Sequence, residues 1–207
     1  MEQPLPMRDR IAGAALECMR EYGVRGTTTK VIARRAGVAE GSIYNHFATR
    51  SELIIEAFGL ATSDMRRRAQ SLGNLVGTKT VEENLVTLMG SIVEFLREIS
   101  PIAGSILGDS ELRSWFANGT VADSHGEPLS PLTGVTELSD YLECEHQQGR
   151  IAKQLPWRTC ASVLIGACLQ YVYLEQLSPS GIAEMRSSGG KSPAEYAREV
   201  VRIVLNG

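Results

Sequence analysis

The sequence has little of what metal, redox and membrane proteins require. Its 207 residues include four cysteines and three histidines, with no Cys-x-x-Cys pair and no zinc-type spacing of cysteine and histidine. No run approaches the roughly 18 uninterrupted apolar residues of a membrane span, and the first ten residues lack the apolar core of a secretion signal. We therefore expect a cytoplasmic protein with reduced, mostly buried thiols and with no metal, cofactor or membrane partner.

Catalytic arrangements are also missing. No Ser/His/Asp set, carboxylate pair or phosphate-binding loop stands out, and His125 and His146 are isolated from other metal-ligating or catalytic residue types. The sequence therefore predicts a protein that is not an enzyme.

Charge is distributed unevenly along the chain. Residues 1–68 carry 11 Lys and Arg against 8 Asp and Glu, whereas the remaining residues carry 10 against 16. The hydrophobic content of 43% is that of an ordinary folded protein. A mildly basic head on an acidic body is expected when only the head meets phosphate groups.

Strand signals are almost absent, and helical spacing of apolar residues recurs throughout. Helical patterns beyond Gly73 fall around 80–98, 102–117, 132–149, 157–177 and 192–206. Pro101, Pro131, Pro156 and Pro193 each lie at or near a helix start, where proline is tolerated. The sequence thus predicts an all-α fold of about nine helices, with long loops at Asn118–Gly134 and Ser178–Ser192.

The first fifty residues predict three short helices. The first should stop at Gly23, the second should begin at the threonines 27–29 and end at Gly37, and the third should run from Glu40 to Phe47. Because only a few residues connect the second helix to the third, these two helices are predicted to form a helix-turn-helix. Its core should comprise Ile32, Ala33, Ala36, Val38, Ile43 and Phe47, supported by a fourth helix from about Arg50 to Leu72.

A helical wheel of the third helix separates a core side from a polar side. Ile43 and Phe47 fall together, and Asn45 falls almost opposite them, flanked by Gly41 and Ser42. Tyr44 and His46 lie at the two edges of this face, where a helix inserted in the major groove passes the phosphates. The outward face is therefore small, polar and able to form hydrogen bonds.

The run from Thr27 to Ile54, TTTKVIARRAGVAEGSIYNHFATRSELI, resembles the helix-turn-helix signature of the tetracycline-repressor (TetR) family. The resemblance is close over residues 8–60, and it extends to the body only in helix order and in the two long C-terminal helices. It implies a homodimeric transcriptional regulator that binds double-stranded operator DNA. It also implies phosphate contacts by Thr28, Thr29 and Arg50, a phosphate or base contact by Lys30, and a reading surface formed by Gly41, Ser42, Tyr44, Asn45 and His46.

Two positions depart from the family pattern. Ala39 stands where a capping Ser or Thr is frequent, and Glu40 stands where Lys is frequent. Glu40 would repel phosphates, although the helix macrodipole favours it by about 0.3–1 kcal/mol. Two interpretations remain open for this residue: a local cap, which the wheel favours, and acceptance of a hydrogen bond from a cytosine amino group.

The last two helices have broad apolar faces, which indicate a partner, and the resemblance implies that a second copy of the chain supplies it. Residues expected at this dimer interface are Ala161, Leu164, Ile165, Cys168, Val172, Tyr196, Val200, Ile203 and Val204.

Apolar residues of the middle helices could line a cavity for a small effector. The candidates are Met89, Ile92, Phe95, Leu96, Ile106, Trp115, Phe116, Tyr141 and Tyr171.

These features together predict a DNA-binding head at residues 1–49 and a ligand-sensing, dimerising body at residues 50–207. The function expected is that of a regulator, most simply a repressor, that a small and largely apolar ligand releases from a palindromic operator. Two alternatives stay open: a ligand-independent or activating regulator of the same fold, and a helical enzyme or scaffold that does not bind DNA.

Overall fold

A computed structural model describes residues 5–117, 130, 132–178, 180 and 192–206. The described residues form helices and connecting turns without a strand, which confirms the predicted all-α fold. In chain order the helices are α1 (Met7–Gly26), α2 (Thr29–Ala36), α3 (Glu40–Ile43), α4 (Arg50–Gln70), α5 (Val81–Leu107), α6 (Ser110–Ala117), α7 (Thr133–Gln147), α8 (Trp157–Leu177) and α9 (Pro193–Asn206), with a 3-10 turn at Leu72–Leu75.

Several helices begin at side chains that bind their first backbone N–H groups. Thr80 accepts from the Glu83 N–H, and the Glu83 carboxylate accepts from the Thr80 N–H, which is a reciprocal capping box at the start of α5. Ser192 and Glu195 form the same arrangement at α9. Asp109 accepts from two N–H groups at the start of α6. Local sequence therefore sets where these helices start.

The predicted stop at Gly23 is present as a break within α1. Gly23 adopts φ 69° and ψ 171°, outside the helical region, and one further turn continues to Gly26. Left-handed φ is available to glycine without the steric penalty of a Cβ. The glycine thus redirects the chain towards α2.

Pro101 was expected to begin a new helix, and this expectation is wrong. It lies inside the continuous α5, where proline cannot donate to the Arg97 carbonyl four residues earlier. The Gln176 side-chain amide of α8 donates to that carbonyl instead, at 3.2 Å. The Arg97 guanidinium also pairs with Glu175, with Nε to Oε2 at 2.7 Å. The Gln176 amide thus replaces the backbone donor that Pro101 lacks, and α5 continues past the proline as one helix.

The chain divides into two compact units that do not follow the expected boundary at residue 49/50. The first comprises Met1–Asp64 and Ile99–Ser130, and the second comprises Met65–Glu98 and Pro131–Gly207. The first three helices are too small to form a core alone, so the start of α4, the end of α5 and α6 complete the first unit. Its buried residues include Ile11, Met19, Ile32, Ile43, Phe47, Leu53, Ile54 and Leu112.

The second unit has its own apolar core, formed chiefly where α7, α8 and α9 pack together. Leu85, Leu138, Leu142, Leu164 and Val172 are fully buried there. The loops expected at Asn118–Gly134 and Ser178–Ser192 lie largely outside the described residues.

Candidate nucleic-acid interface

The predicted helix-turn-helix is present as α2 and α3. Thr28 is the N-cap of α2, and its hydroxyl accepts from the Val31 N–H at 3.3 Å. Gly37 closes α2 in the left-handed conformation, with φ 68° and ψ 39°. Ile32, Ala33, Ala36, Ile43 and Phe47 are buried as predicted, and Val38 is half-buried.

The reading helix is shorter than predicted, because regular α-helix ends at Ile43 rather than at Phe47. The chain continues as tightened turns: the Asn45 N–H donates to the Ser42 carbonyl at 3.3 Å, and the His46 N–H to the Ile43 carbonyl at 2.9 Å. Hydrogen bonds to the carbonyl three residues earlier, as in a 3-10 helix, are common where an α-helix ends. The expected orientation nevertheless persists, because Phe47 still donates to Ile43 and both side chains are buried.

The polar face predicted for this segment is accessible. Gly41, Tyr44 and Asn45 are exposed, and Ser42 and His46 are half-buried. Exposed donors and acceptors on one helix face are what base-edge recognition requires. All five residues thus lie on or beside one accessible surface.

The two threonines expected to bind phosphate differ in their hydrogen bonds. Thr28 uses its oxygen as an acceptor for the α2 cap, so its O–H hydrogen can still be donated to a phosphate. Thr29 instead donates its O–H to the Glu40 carboxylate at 2.6 Å. Because a hydroxyl has one hydrogen and a phosphate only accepts, Thr29 cannot bind phosphate through this hydroxyl while that bond is kept.

Arg50 also has a role that the sequence did not reveal. Its Nε donates to the Thr27 carbonyl at 3.1 Å, and its Nη2 donates to the Val24 carbonyl at 2.5 Å. The guanidinium therefore fastens the start of α4 to the turn between α1 and α2, a structural role in addition to the phosphate contact that the resemblance implies.

Arg8 was missed by the sequence reasoning. Its guanidinium lies over the Phe47 ring, 4.2 Å from the centroid, donates to the His46 carbonyl and pairs with Glu52 at 3.1 Å. It thereby joins α1 to the end of the reading segment. The acidic pair Glu52 and Glu56, one turn apart on α4, is the sequence signal that could have indicated a basic partner.

The basic residues of α2 divide into two groups. Lys30 and Arg34 are exposed. Arg35 pairs with Glu21 and Glu17 of α1, and hydrogen bonds from Tyr22 and Arg35 hold the pKa of Glu21 below its usual value. Lys30 and Arg34 are therefore the α2 cations placed to meet a polyanion.

The predicted effector residues lie in both compact units. Met89, Ile92, Tyr141 and Tyr171 are buried in the second unit, where Phe95 and Leu96 are half-buried. Ile106 is buried in the first unit. Trp115 and Phe116 belong to α6, but their side chains lie outside the described part of the structure.

Tyr141 places a polar group inside the second core. Its hydroxyl accepts from the Asn84 side-chain amide at 3.1 Å, and burial raises the pKa of the phenol well above its usual value. The hydroxyl therefore remains neutral at physiological pH.

Four residues expected at the dimer interface belong to the protomer's own core, and this expectation is corrected. Ala161, Leu164, Cys168 and Val172 have no exposed surface, so no partner can contact them. Ile165, Tyr196, Val200 and Val204 are half-buried and packed against the same core. Of the nine residues, Ile203 is the one that is mainly exposed, at 72%.

A different face of α8 is apolar and exposed. It carries Val163, Leu169, Tyr173, Leu174 and Leu177, of which Leu177 is 77% exposed. By length and composition α8 is the one described helix that could cross a membrane, yet its opposite face lies in the core with α7 and α9.

Among the described residues no cluster of three potential metal-ligating side chains occurs.

Comparison with known proteins agrees with this geometry. The family model of bacterial regulatory proteins of the tetR family matches residues 11–57. The HTH-type transcriptional regulator YdgC of Bacillus subtilis is 25% identical over 206 residues, covering 97% of this chain and 91% of that protein.

Solved structures share the whole fold. A tetR-family regulator from Mesorhizobium loti superposes with a TM-score of 0.73 at 19% identity, covering 97% of this chain and 95% of its own. The regulator FadR of Bacillus subtilis, solved with stearoyl-CoA, gives a TM-score of 0.65 at 20% identity, covering 96% and 98%. Residues 11–57 thus match the DNA-binding segment of the tetR family of bacterial regulatory proteins, and the helical body shares the fold of solved regulators of that family.

Proposed function

We propose that the protein is a homodimeric, ligand-responsive repressor that binds a palindromic operator in the cytoplasm and leaves it when a small, largely apolar effector binds. The observation that supports this proposal most directly is the accessible polar face of Gly41, Tyr44 and Asn45, held in place by the buried Ile43 and Phe47. A face of this composition suits base edges in the major groove.

The exposed apolar face of α8 supports the dimer. Exposed apolar surface of this extent is unusual for a monomer and is buried by association. We place the two-fold interface on Val163, Leu169, Tyr173 and Leu177 of α8 together with Ile203 of α9. Only a dimer presents two reading segments to the two halves of a palindrome.

The start of α4 supports the proposed response. Arg50 binds the backbone of the α1–α2 turn, and the neighbouring Ser51 donates to Glu111 of α6 at 2.6 Å. A change in α4 or α6 would therefore be transmitted to the head through direct hydrogen bonds. Because the half-sites lie roughly 34–36 Å apart, a shift of a few ångströms in the two heads is enough to prevent simultaneous docking.

Fatty acyl thioesters are the first effectors to test. Buried apolar side chains of the second unit, including Met89, Ile92 and Tyr171, offer the surroundings that an acyl chain prefers. The neutral hydroxyl of Tyr141 supplies a polar point among them. The stearoyl-CoA held by the similar FadR structure supports the same effector class.

The test is a binding titration with duplex DNA from the promoter beside the protein's own gene, measured by fluorescence anisotropy at fixed salt. Salt must be fixed because phosphate contacts make affinity strongly salt-dependent. We expect one dimer per palindrome and an affinity at least 1,000-fold above that for a shuffled duplex, in line with the roughly 10³–10⁷ ratios of specific binders.

Stearoyl-CoA is then added to the preformed complex, with free CoA as the matched control. Release by the acyl compound but not by CoA supports the acyl-responsive repressor. Equal binding of promoter and shuffled duplexes contradicts the regulator, whereas specific binding that no acyl-CoA alters contradicts this effector class.

A further inference from the structure

Glu40 is a carboxylate on the surface assigned to DNA. It is the first residue of α3, is exposed, and lies one turn before the exposed Tyr44. No side chain caps α3 at Ala39, and the Glu40 hydrogen bond goes to the Thr29 hydroxyl rather than to a backbone N–H. The structure therefore does not use Glu40 as the local cap that the helical wheel favoured.

The bond to Thr29 restricts what the carboxylate can do. Thr29 is the first residue of α2, so the 2.6 Å contact between its Oγ1 and Glu40 Oε1 joins the beginnings of the two helices of the motif. An ionised carboxylate only accepts hydrogen bonds. With Oε1 bound by Thr29, Oε2 is left to accept from a donor on the DNA.

The four bases differ in what they offer such an acceptor in the major groove. Guanine presents two acceptors there and thymine an acceptor and a methyl group, so neither offers a donor to a carboxylate, and adenine places its N7 acceptor beside its amino group. Cytosine presents an amino donor without an adjacent acceptor on the same base. A single fixed carboxylate oxygen therefore matches cytosine best.

We propose that Glu40, positioned by Thr29, is a specificity-determining residue that selects cytosine at one position of each operator half-site. The proposal rests on the proposed function, since it assumes that α3 enters the major groove. The same negative charge repels phosphates and mismatched bases, so Glu40 lowers affinity for other sequences while favouring the matched one.

The test is selection of bound duplexes from a randomised library by the full-length dimer, followed by sequencing, for wild type and for Glu40→Gln. Wild type should enrich cytosine at one position in each half-site. Glutamine has nearly the same shape and can pair with both N6 and N7 of adenine. In Glu40→Gln the preference at that position should move from cytosine to adenine, with cytosine losing about tenfold, while the other positions are unchanged.

Two further variants separate base selection from structural effects. Thr29→Val keeps the shape of the side chain but removes the donor, and it should weaken the cytosine preference without introducing one for adenine. Glu17→Gln makes the same charge change on α1, where Glu17 is 63% exposed and pairs with Arg35, and it should leave the selected sequence as in wild type.

The possible results lead to different conclusions. An identical base preference in wild type and Glu40→Gln overturns the assignment of Glu40 while leaving operator binding intact. Failure of wild type to enrich any sequence overturns the proposed function and the assignment with it. A uniform loss at every position, with a lowered melting temperature, shows that Glu40 supports the fold rather than selecting a base.

Discussion

The Ser51 hydroxyl donates to the Glu111 carboxylate at 2.6 Å, joining the first turn of α4 to α6 across 60 residues of sequence. Ser51 is 4% exposed, so its oxygen has little access to water. Because the preceding residue, Arg50, binds the backbone of the α1–α2 turn, two successive residues attach α4 to different parts of the first unit.

This contact predicts energetic coupling between Ser51 and Glu111. A hydrogen bond to a charged group contributes about 1.5–3 kcal/mol, and a buried partner left unpaired is costly. Ser51→Ala and Glu111→Ala should each lower the free energy of unfolding, and the double variant should lose less than the sum. A double-mutant cycle by urea denaturation measures the coupling. Strictly additive losses would show that the two groups do not interact in solution.

Arg50→Ala should destabilise the protein by about 1–3 kcal/mol, because the carbonyls of Val24 and Thr27 lose their donor. Arg50→Lys keeps the charge but cannot reproduce two bonds from one planar group, so it should recover little. Thermal unfolding without DNA measures both variants. Unchanged stability together with a salt dependence reduced by about one counterion would return Arg50 to the phosphate contacts.

Asn45→Ala should weaken operator binding without changing stability, because the side chain is exposed and opposite the buried Ile43 and Phe47. The expected loss is about 1–3 kcal/mol for a base contact. Anisotropy titration and thermal unfolding provide the two measurements. Asn206→Ala, at the end of α9, is the matched control and should bind as wild type. Wild-type affinity in Asn45→Ala would place the reading face elsewhere.

The head could be predicted from the sequence because short-range interactions determine it. The cap at Thr28, the left-handed Gly37 and the spacing of Ile43 and Phe47 all act within a few residues. In the body, the capping box formed by Thr80 and Glu83 at the start of α5 is likewise an interaction between residues close in sequence. Each of these signals can be read in a window of about ten residues, which is why the helix-turn-helix was recognisable.

The roles that the sequence did not reveal depend on distant partners. The structural role of Arg50 depends on the carbonyls of Val24 and Thr27, which lie more than twenty residues earlier in the sequence. Helix α8 has apolar residues on all sides, so periodicity alone could not tell the buried Leu164 from the exposed Leu169. Packing decides both cases, and one sequence carries no direct record of packing.

Pro101 and Gln176 provide a test of such a distant partner. Gln176→Ala should destabilise the protein by about 1 kcal/mol, because it leaves the Arg97 carbonyl without a donor beside the proline. Pro101→Ala restores a backbone N–H at that point, so Gln176→Ala should cost less in the Pro101→Ala background. Urea denaturation of the four proteins measures the difference. An equal cost in both backgrounds would mean that Gln176 does not substitute for the missing backbone bond.

The proposed dimer face gives the prediction that connects the body to DNA binding. Leu169→Asp and Ile203→Asp place a charge on surfaces that are 40% and 72% exposed in the single chain. The protomer tolerates a charge there, but an interface that buries it leaves the charge unpaired. Both variants should therefore be folded monomers by light scattering and circular dichroism.

A monomer presents a single helix-turn-helix to the operator. Its affinity should therefore move towards the roughly 10⁻⁴–10⁻⁶ M range of non-specific binding at physiological salt. Leu107→Asp is the control, since Leu107 is 61% exposed and belongs to α5 rather than to α8 or α9, and this variant should remain a dimer that binds operator. Thiol alkylation tests whether the monomers keep their core. Burial raises the pKa of Cys168 to about 12, so it should stay unreactive in monomer and dimer alike, whereas the exposed Cys144 should react in both. Rapid alkylation of Cys168 in the monomeric variants would show that the substitutions open the core of the protomer, so that the loss of operator binding could not be assigned to the interface.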